Sequence, residues 1–127
     1  MALEPNDFCP CGVGNKVKFC CSADIVRDLD KVTRSIEGNQ YAAALTTLST
    51  LEESHGALSS VLALKGIALL ATSQFEKAKE NADHFLEADT ESPVAWAQAA
   101  LGEEDTHEAM IQLQRAFEKS KMESIPQ

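Results

Sequence analysis

Four cysteines, the only thiols in the 127-residue chain, lie within thirteen positions near its start. They form two pairs, Cys9 with Cys11 and Cys20 with Cys21, and eight residues separate the pairs. Two thiolate pairs at this spacing can converge from the two ends of a hairpin and complete the tetrahedral coordination of a zinc ion. Four such ligands leave no coordination position for water, so the pattern predicts a structural rather than a catalytic metal.

Disulfide bonds are the alternative use of four clustered thiols. Two of the three possible pairings link the first pair to the second and are sterically acceptable, whereas the third requires strained bridges within each pair. Disulfide frameworks are typical of secreted proteins. The first residues, MALEPNDF, contain no basic stretch followed by an apolar one, so no secretory signal is predicted and metal binding is favoured.

The residues around the cysteines suit a tight turn beside a metal. Pro10 restricts the backbone between the first two ligands, and Gly12 and Gly14 permit a sharp reversal of the chain. Lys16 and Lys18 then alternate with two apolar residues at the period of a β-strand. The hairpin is therefore predicted to have one basic side and one apolar side.

The order Cys-Pro-Cys-Gly-x-Gly, a short basic stretch and Cys-Cys resembles the SEC-C motif over about residues 6–22. This motif is the small zinc-binding tail of the SecA protein-translocation ATPase and occurs in many unrelated bacterial proteins. The resemblance implies one structural Zn²⁺ held by the four cysteines, and it places Lys16 and Lys18 at the basic positions of the motif. Val13 and Val17 stand where serine and an aromatic residue are usual. By resemblance, the partner belongs to protein export, chaperone or ribosome pathways, or the basic side contacts ribosomal RNA or anionic lipid.

The residues after the cysteines predict an all-α body of six helices. Apolar residues recur at helical spacing, and polar breaks such as GNQ and SHG separate the stretches. The third stretch, ALSSVLALKGIALLA, is apolar nearly all round and is predicted to be buried on most sides. Ser73 with Glu76 predicts a capping box at the start of the fourth helix. Ser92 and Asp105 are predicted to open the fifth and sixth helices.

The helices repeat with a period of thirty-four residues. Tyr41 and Phe75 are thirty-four positions apart, and so are the alanines that follow each of them by three positions. A third copy of that alanine, Ala109, comes after a shorter step of thirty-one residues. The period and the placement of aromatic and small residues resemble the tetratricopeptide repeat. The resemblance implies a degenerate three-unit array over about residues 23–121, with an irregular helical bundle as the alternative.

Stacked helix pairs share one core and present the first helix of each pair on a concave side. In the central unit the predicted groove positions are mostly apolar and include Ala63, Ile67 and Leu70, with Ser60 beside them. Two interpretations stay open at this point. Either three short units twist too little to expose these side chains, or the side chains form a slot for an extended peptide or a partner helix.

The chain is strongly acidic, with 11 Lys and Arg against 20 Asp and Glu and a net charge of −9. Residues 1–22 are neutral, because two acidic residues balance Lys16 and Lys18, so the helical body carries the entire deficit. This charge argues against nucleic acid as a partner of the body. No apolar run approaches the roughly twenty residues that span a bilayer, and a cytoplasmic location is predicted.

Together these features predict a mainly α protein in two parts: a zinc-bound β-hairpin module, residues 1–22, and an antiparallel helical-hairpin array of about six helices, residues 23–127. No nucleophile turn or phosphate-binding loop is recognisable, so no enzyme is predicted. The predicted function is a non-catalytic, zinc-binding protein-interaction module. The alternative is an N-terminal targeting or regulatory arm of a larger protein whose enzyme lies beyond Gln127.

Overall fold

The computed structural model describes residues 7–11, 14, 16, 23–103 and 105–124. These residues form six α-helices: α1 Val26–Glu37, α2 Tyr41–His55, α3 Ser59–Ala71, α4 Phe75–Ala88, α5 Pro93–Leu101 and α6 Thr106–Ser124. A short 3₁₀ turn, Ala23–Ile25, precedes α1. The prediction of a mainly α body with six helices is confirmed. None of these helices combines the length and the apolar character needed to cross a bilayer.

The helices are arranged as three consecutive pairs. Each helix packs against the helices that precede and follow it, and the first helices of the pairs also contact one another, α1 with α3 and α3 with α5. Connections of a few residues make consecutive helices antiparallel. Because every pair buries its apolar face against the next pair, the fold is a helical-repeat array rather than a set of independent hairpins.

The turns inside the first two pairs have the same backbone conformation. Asn39 and Ser73, thirty-four positions apart, have φ angles of 61° and 59°. The next residues, Gln40 and Gln74, precede α2 and α4, and both have a ψ angle of 66°. The thirty-four-residue period of the sequence therefore corresponds to a repeated helix–turn–helix unit.

The capping-box prediction at Ser73 is wrong. Gln74, not Ser73, is the residue that precedes α4, and no side chain at this cap position hydrogen-bonds to the helix start. Ser73 instead occupies the left-handed position of the interhelical turn, where Asn39 lies in the preceding unit. The geometry of the repeated turn decides the role of Ser73, although its spacing from Glu76 has the local pattern of a cap.

The predicted starts of α5 and α6 are confirmed. The hydroxyl of Ser92 accepts a hydrogen bond from the backbone N–H of Ala95 at 3.2 Å, and Pro93 is the first helical residue. At α6, the carboxylate of Asp105 accepts from the backbone N–H of His107 at 2.9 Å. Both side chains satisfy N–H groups that have no partner within the helix.

The hydrophobic core consists of two clusters that both include residues of α3, and this helix is buried on most sides as predicted. Val61 and Leu64 of α3 belong to a cluster formed with α1 and α2. Leu62 and Ala63, on another side of the same helix, pack with α4 and α5 around Phe85. The first cluster comprises Ile25, Leu29, Val32, Ala44, Leu48, Leu51, Val61 and Leu64.

The close approach of α5 to α3 depends on Gly66. A Cβ atom at this position would lie 2.0 Å from Oε1 of Gln98, which is itself 5% exposed. The amide of Gln98 donates a hydrogen bond to the carbonyl oxygen of Ala63 at 2.7 Å. The missing side chain thus leaves room for a buried glutamine that joins the second and third units.

Candidate metal centre

The first cysteine pair is buried. Cys9 is 3% exposed and Cys11 is 1% exposed. The two sulfur atoms are not bonded to each other. Burial of two thiols two positions apart suits a thiolate pair that binds a metal, because a cation compensates the charge of deprotonated sulfur.

The segment around this pair folds back on itself. Phe8 and Lys16 form an isolated antiparallel bridge. Between them, Gly14 has a φ angle of 92°, a left-handed backbone conformation that residues other than glycine rarely adopt. Gly14 thus has the turn-forming role that the sequence predicted for it.

Ser92 holds this segment against the helical array. Its hydroxyl donates a hydrogen bond to the carbonyl oxygen of Cys11, eighty-one positions earlier in the chain. The same oxygen atom accepts from the backbone N–H of Ala95, and Ser92 is completely buried. The helix cap is therefore also a tether for the backbone of one predicted ligand. The sequence indicated only the cap, since nothing in a local pattern identifies a partner so far away.

The second half of the predicted site lies outside the described residues. Cys20, Cys21 and Lys18 belong to this part. Within the ranges that the structure describes, no group of three or more His, Cys, Asp or Glu side chains is placed to bind a metal. The first pair fits a zinc site in its chemistry and its burial, and it would supply two of the four sulfur ligands that a closed tetrahedral site requires.

Lys16 is exposed, and its partner in the bridge is an exposed aromatic residue. Phe8 is 73% exposed, the largest exposed fraction among the large apolar side chains of the described residues. Phe8 was not among the residues predicted to form a contact surface. The sequence does show an aromatic residue directly before the first cysteine. The pattern of apolar and polar residues around it does not show whether its side chain is buried or exposed.

The predicted groove residues differ in their accessibility. Ala63 has no exposed surface, because it packs in the cluster that contains Phe85 and because α5 lies against α3. Ile67 is 43% exposed and Leu70 is half-buried. A partner can therefore reach Ile67 and Leu70 but not Ala63. Ser60 is also completely buried.

The three histidines of the chain are exposed. His55 ends α2, His84 lies within α4, and His107 lies in the first turn of α6. Among the described residues, none of them joins the buried cysteine pair in a group that could bind a metal.

Comparisons with protein-family models, with curated proteins and with solved structures gave no match to this chain. Function is therefore inferred from the residues of the chain and their geometry.

Replacing Ser92 by alanine is expected to lower the free energy of unfolding by about 1–2 kcal/mol, because the change removes a helix cap and leaves the carbonyl of Cys11 without its donor. Urea unfolding followed by circular dichroism measures the effect. Ser49→Ala, an exposed position in the middle of α2, removes the same atom and is expected to change stability by less than about 0.5 kcal/mol. Equal effects of the two substitutions would contradict the assigned role of Ser92.

Proposed function

We propose that this chain is a non-catalytic, zinc-binding protein-interaction module, in which a metal-bound hairpin and a helical array each provide a contact surface. The observation that supports the proposal most directly is the exposed pair of Phe8 and Lys16, which lies next to two buried cysteines. Large aromatic and basic side chains contribute strongly to protein–protein contacts when they are presented by a rigid element.

In this proposal Cys9, Cys11, Cys20 and Cys21 bind one structural Zn²⁺. The resemblance to the SEC-C motif and the burial of the first pair support this ligand set. A segment of this length has little apolar core, and zinc binding in comparable small fingers contributes about 10–16 kcal/mol. The metal would hold the hairpin in one shape before a partner arrives, which reduces the conformational entropy lost on binding.

The chemistry of the exposed pair indicates an acidic protein surface as the partner. Lys16, with Lys18 as the second basic residue of the proposal, attracts carboxylates, and Phe8 adds apolar contact area. The helical body carries the net charge of −9, which repels both nucleic acid and anionic lipid. The resemblance to the SEC-C motif favours a protein partner from an export, chaperone or ribosome pathway. Ribosomal RNA and anionic lipid are the alternative partners to be tested.

The exposed part of α3 provides the second proposed surface. Ile67, at 43% exposure, and Leu70 lie on α3, and a partner peptide would bury their accessible parts. Two partly exposed aliphatic side chains form a small apolar contact, so this surface would support binding through the hairpin rather than replace it.

Charge reversal at Lys16 tests the proposal. Lys16→Glu is expected to weaken retention of the partner by about fivefold to tenfold, because it places an acidic side chain against an acidic surface. Lys31→Glu, an exposed lysine on α1, is the matched control and should leave retention unchanged. Quantitative mass spectrometry of the proteins that each variant retains from extracts of the source organism measures the two effects. Elemental analysis should find the same zinc content in both variants.

Two results would contradict the proposal. One is equal retention of the same proteins by the wild type, Lys16→Glu and a Phe8→Ala variant. The other is binding of purified ribosomal RNA or anionic vesicles in place of any protein, with a steep dependence on salt. Two lysines neutralise few phosphates, so a shallow salt dependence is expected from this hairpin.

A further inference from the structure

The last helix of the array has an exposed apolar stripe. Met110, Leu113 and Phe117 of α6 are 65%, 50% and 68% exposed. Their spacing of three and then four residues places them on one face of the helix. Contiguous exposed side chains of this size are characteristic of an interaction surface rather than of scattered surface residues.

The repeat shows what kind of element covers this face in the other units. Leu48 of α2 and Ala82 of α4 are thirty-four positions apart and are both completely buried. Leu113 follows Ala82 by the shorter step of thirty-one residues and is half exposed. α3 packs on α2 and α5 packs on α4, whereas no helix follows α6 among the residues that the structure describes. The face of α6 therefore has the position of a helix-binding face.

We propose that a second copy of the chain occupies this face, with the two α6 helices packed antiparallel around a two-fold axis near Leu113. A two-fold interface requires a self-complementary surface, in which each residue contacts the symmetry-related copy of another. The stripe meets this requirement, because Met110 and Phe117 lie on opposite sides of Leu113. Antiparallel packing brings Phe117 of one copy against Met110 of the other, a favourable contact between sulfur and an aromatic ring.

The local charge of α6 allows two copies to approach at this face. The chain has a net charge of −9, so most approaches of two copies are repulsive. Residues 106–120 of α6 are neutral, with Glu108 and Glu118 balanced by Arg115 and Lys119. Arg115 lies over the ring of Trp96 and Lys119 pairs with Glu91, so the two cations are directed towards the chain's own third unit. Antiparallel helices also place their dipoles in the favourable relative orientation.

The expected affinity is modest. α6 has 19 residues and a length of about 28 Å. Contact between two such helices through three large side chains and their neighbours would bury on the order of 1,000 Å² in total, at the low end for specific association. A dissociation constant of about 10–100 µM is therefore expected rather than a permanent dimer.

Sedimentation equilibrium of the zinc-loaded full chain in reducing buffer tests this proposal. The wild type is expected to pass from monomer to dimer between about 1 µM and 1 mM, the range that brackets the expected affinity. Phe117→Asp and Leu113→Asp should remain monomeric throughout, because each would bury a carboxylate in the contact. Phe75→Asp, an exposed aromatic position on α4, is the matched control and should dimerise as the wild type does. Added salt should strengthen the dimer by screening the repulsion between the acidic bodies.

Circular dichroism of the variants keeps the result interpretable, since exposed positions are expected to tolerate the change without loss of helicity. A wild type that stays monomeric at 1 mM overturns the proposal. So does a dimer that Phe117→Asp leaves intact, or a stripe that binds only a different protein while the chain itself stays monomeric.

Discussion

Removal of zinc by a chelator is expected to unfold the N-terminal cysteine segment and to leave most of the helical circular-dichroism signal intact. Both buried apolar clusters are built from residues of the helical array and contain no cysteine. One hydrogen bond between the two parts joins Ser92 to the backbone of Cys11, and its loss should lower the melting temperature without unfolding the helices. In the proposed zinc site, metal binding would supply most of the folding free energy of residues 1–22, about 10 kcal/mol or more.

Zinc analysis and circular dichroism before and after chelation measure this result. The purified chain should contain one zinc ion, and Cys20→Ser should abolish binding. Chelator added to Cys20→Ser is the control and should have no further effect. Loss of the far-ultraviolet helical signal on chelation would contradict a separation between residues 1–22 and residues 23–127. Mass spectrometry that finds the four thiols oxidised to disulfides would contradict the metal site itself.

Replacement of Phe85 by alanine is expected to lower the free energy of unfolding by about 3–5 kcal/mol. Phe85 is completely buried between α3, α4 and α5, and packs with Leu62, Ala63 and Ala95. Loss of the ring removes apolar burial and leaves a cavity at the junction of the second and third units. Domains of this size have total stabilities of about 5–15 kcal/mol, so the change removes a large fraction of the whole.

Phe75→Ala is the matched control, because it deletes the same ring from the same helix at a position that is 53% exposed. Its expected cost is less than about 1 kcal/mol. Urea unfolding of the wild type and both variants gives the two differences, with unchanged slopes indicating that the unfolded states are comparable. Similar costs for the two substitutions would show that Phe85 is not a central core residue.

Several elements of the fold were predictable because their causes are local. The apolar spacing of α3 indicated a helix buried on most sides, and Val61 and Leu62 do face different clusters. Ser92 and Asp105 were recognised as helix starts from residue type and position. Ser73 shows the limit of such patterns. Its spacing from Glu76 suits a cap, yet the turn shared with the preceding unit places it one residue before the cap position.

The candidate site was predictable in its chemistry but not in its surroundings. The clustering of thiols indicated a metal ligand set, since ligand type and spacing are properties of the chain itself. The prediction for the groove included Ala63, which the packing of α5 against α3 removes from the surface. How far neighbouring units cover a side chain depends on the size of residues such as Gly66 and Gln98, thirty-two positions apart.

The amino-acid sequence alone was sufficient to predict the six helices, the thirty-four-residue period and the clustering of thiols near the start of the chain. Each of these features follows from residue types and their spacing along the chain. Long-range packing was required for three further properties: the tether between Ser92 and Cys11, the exposure of Phe8 and the uncovered stripe on α6. Each of these depends on which distant segments come together. Contacts between distant segments decide which side chains are buried and which groups are hydrogen-bonded, and a local pattern of residues does not specify those contacts.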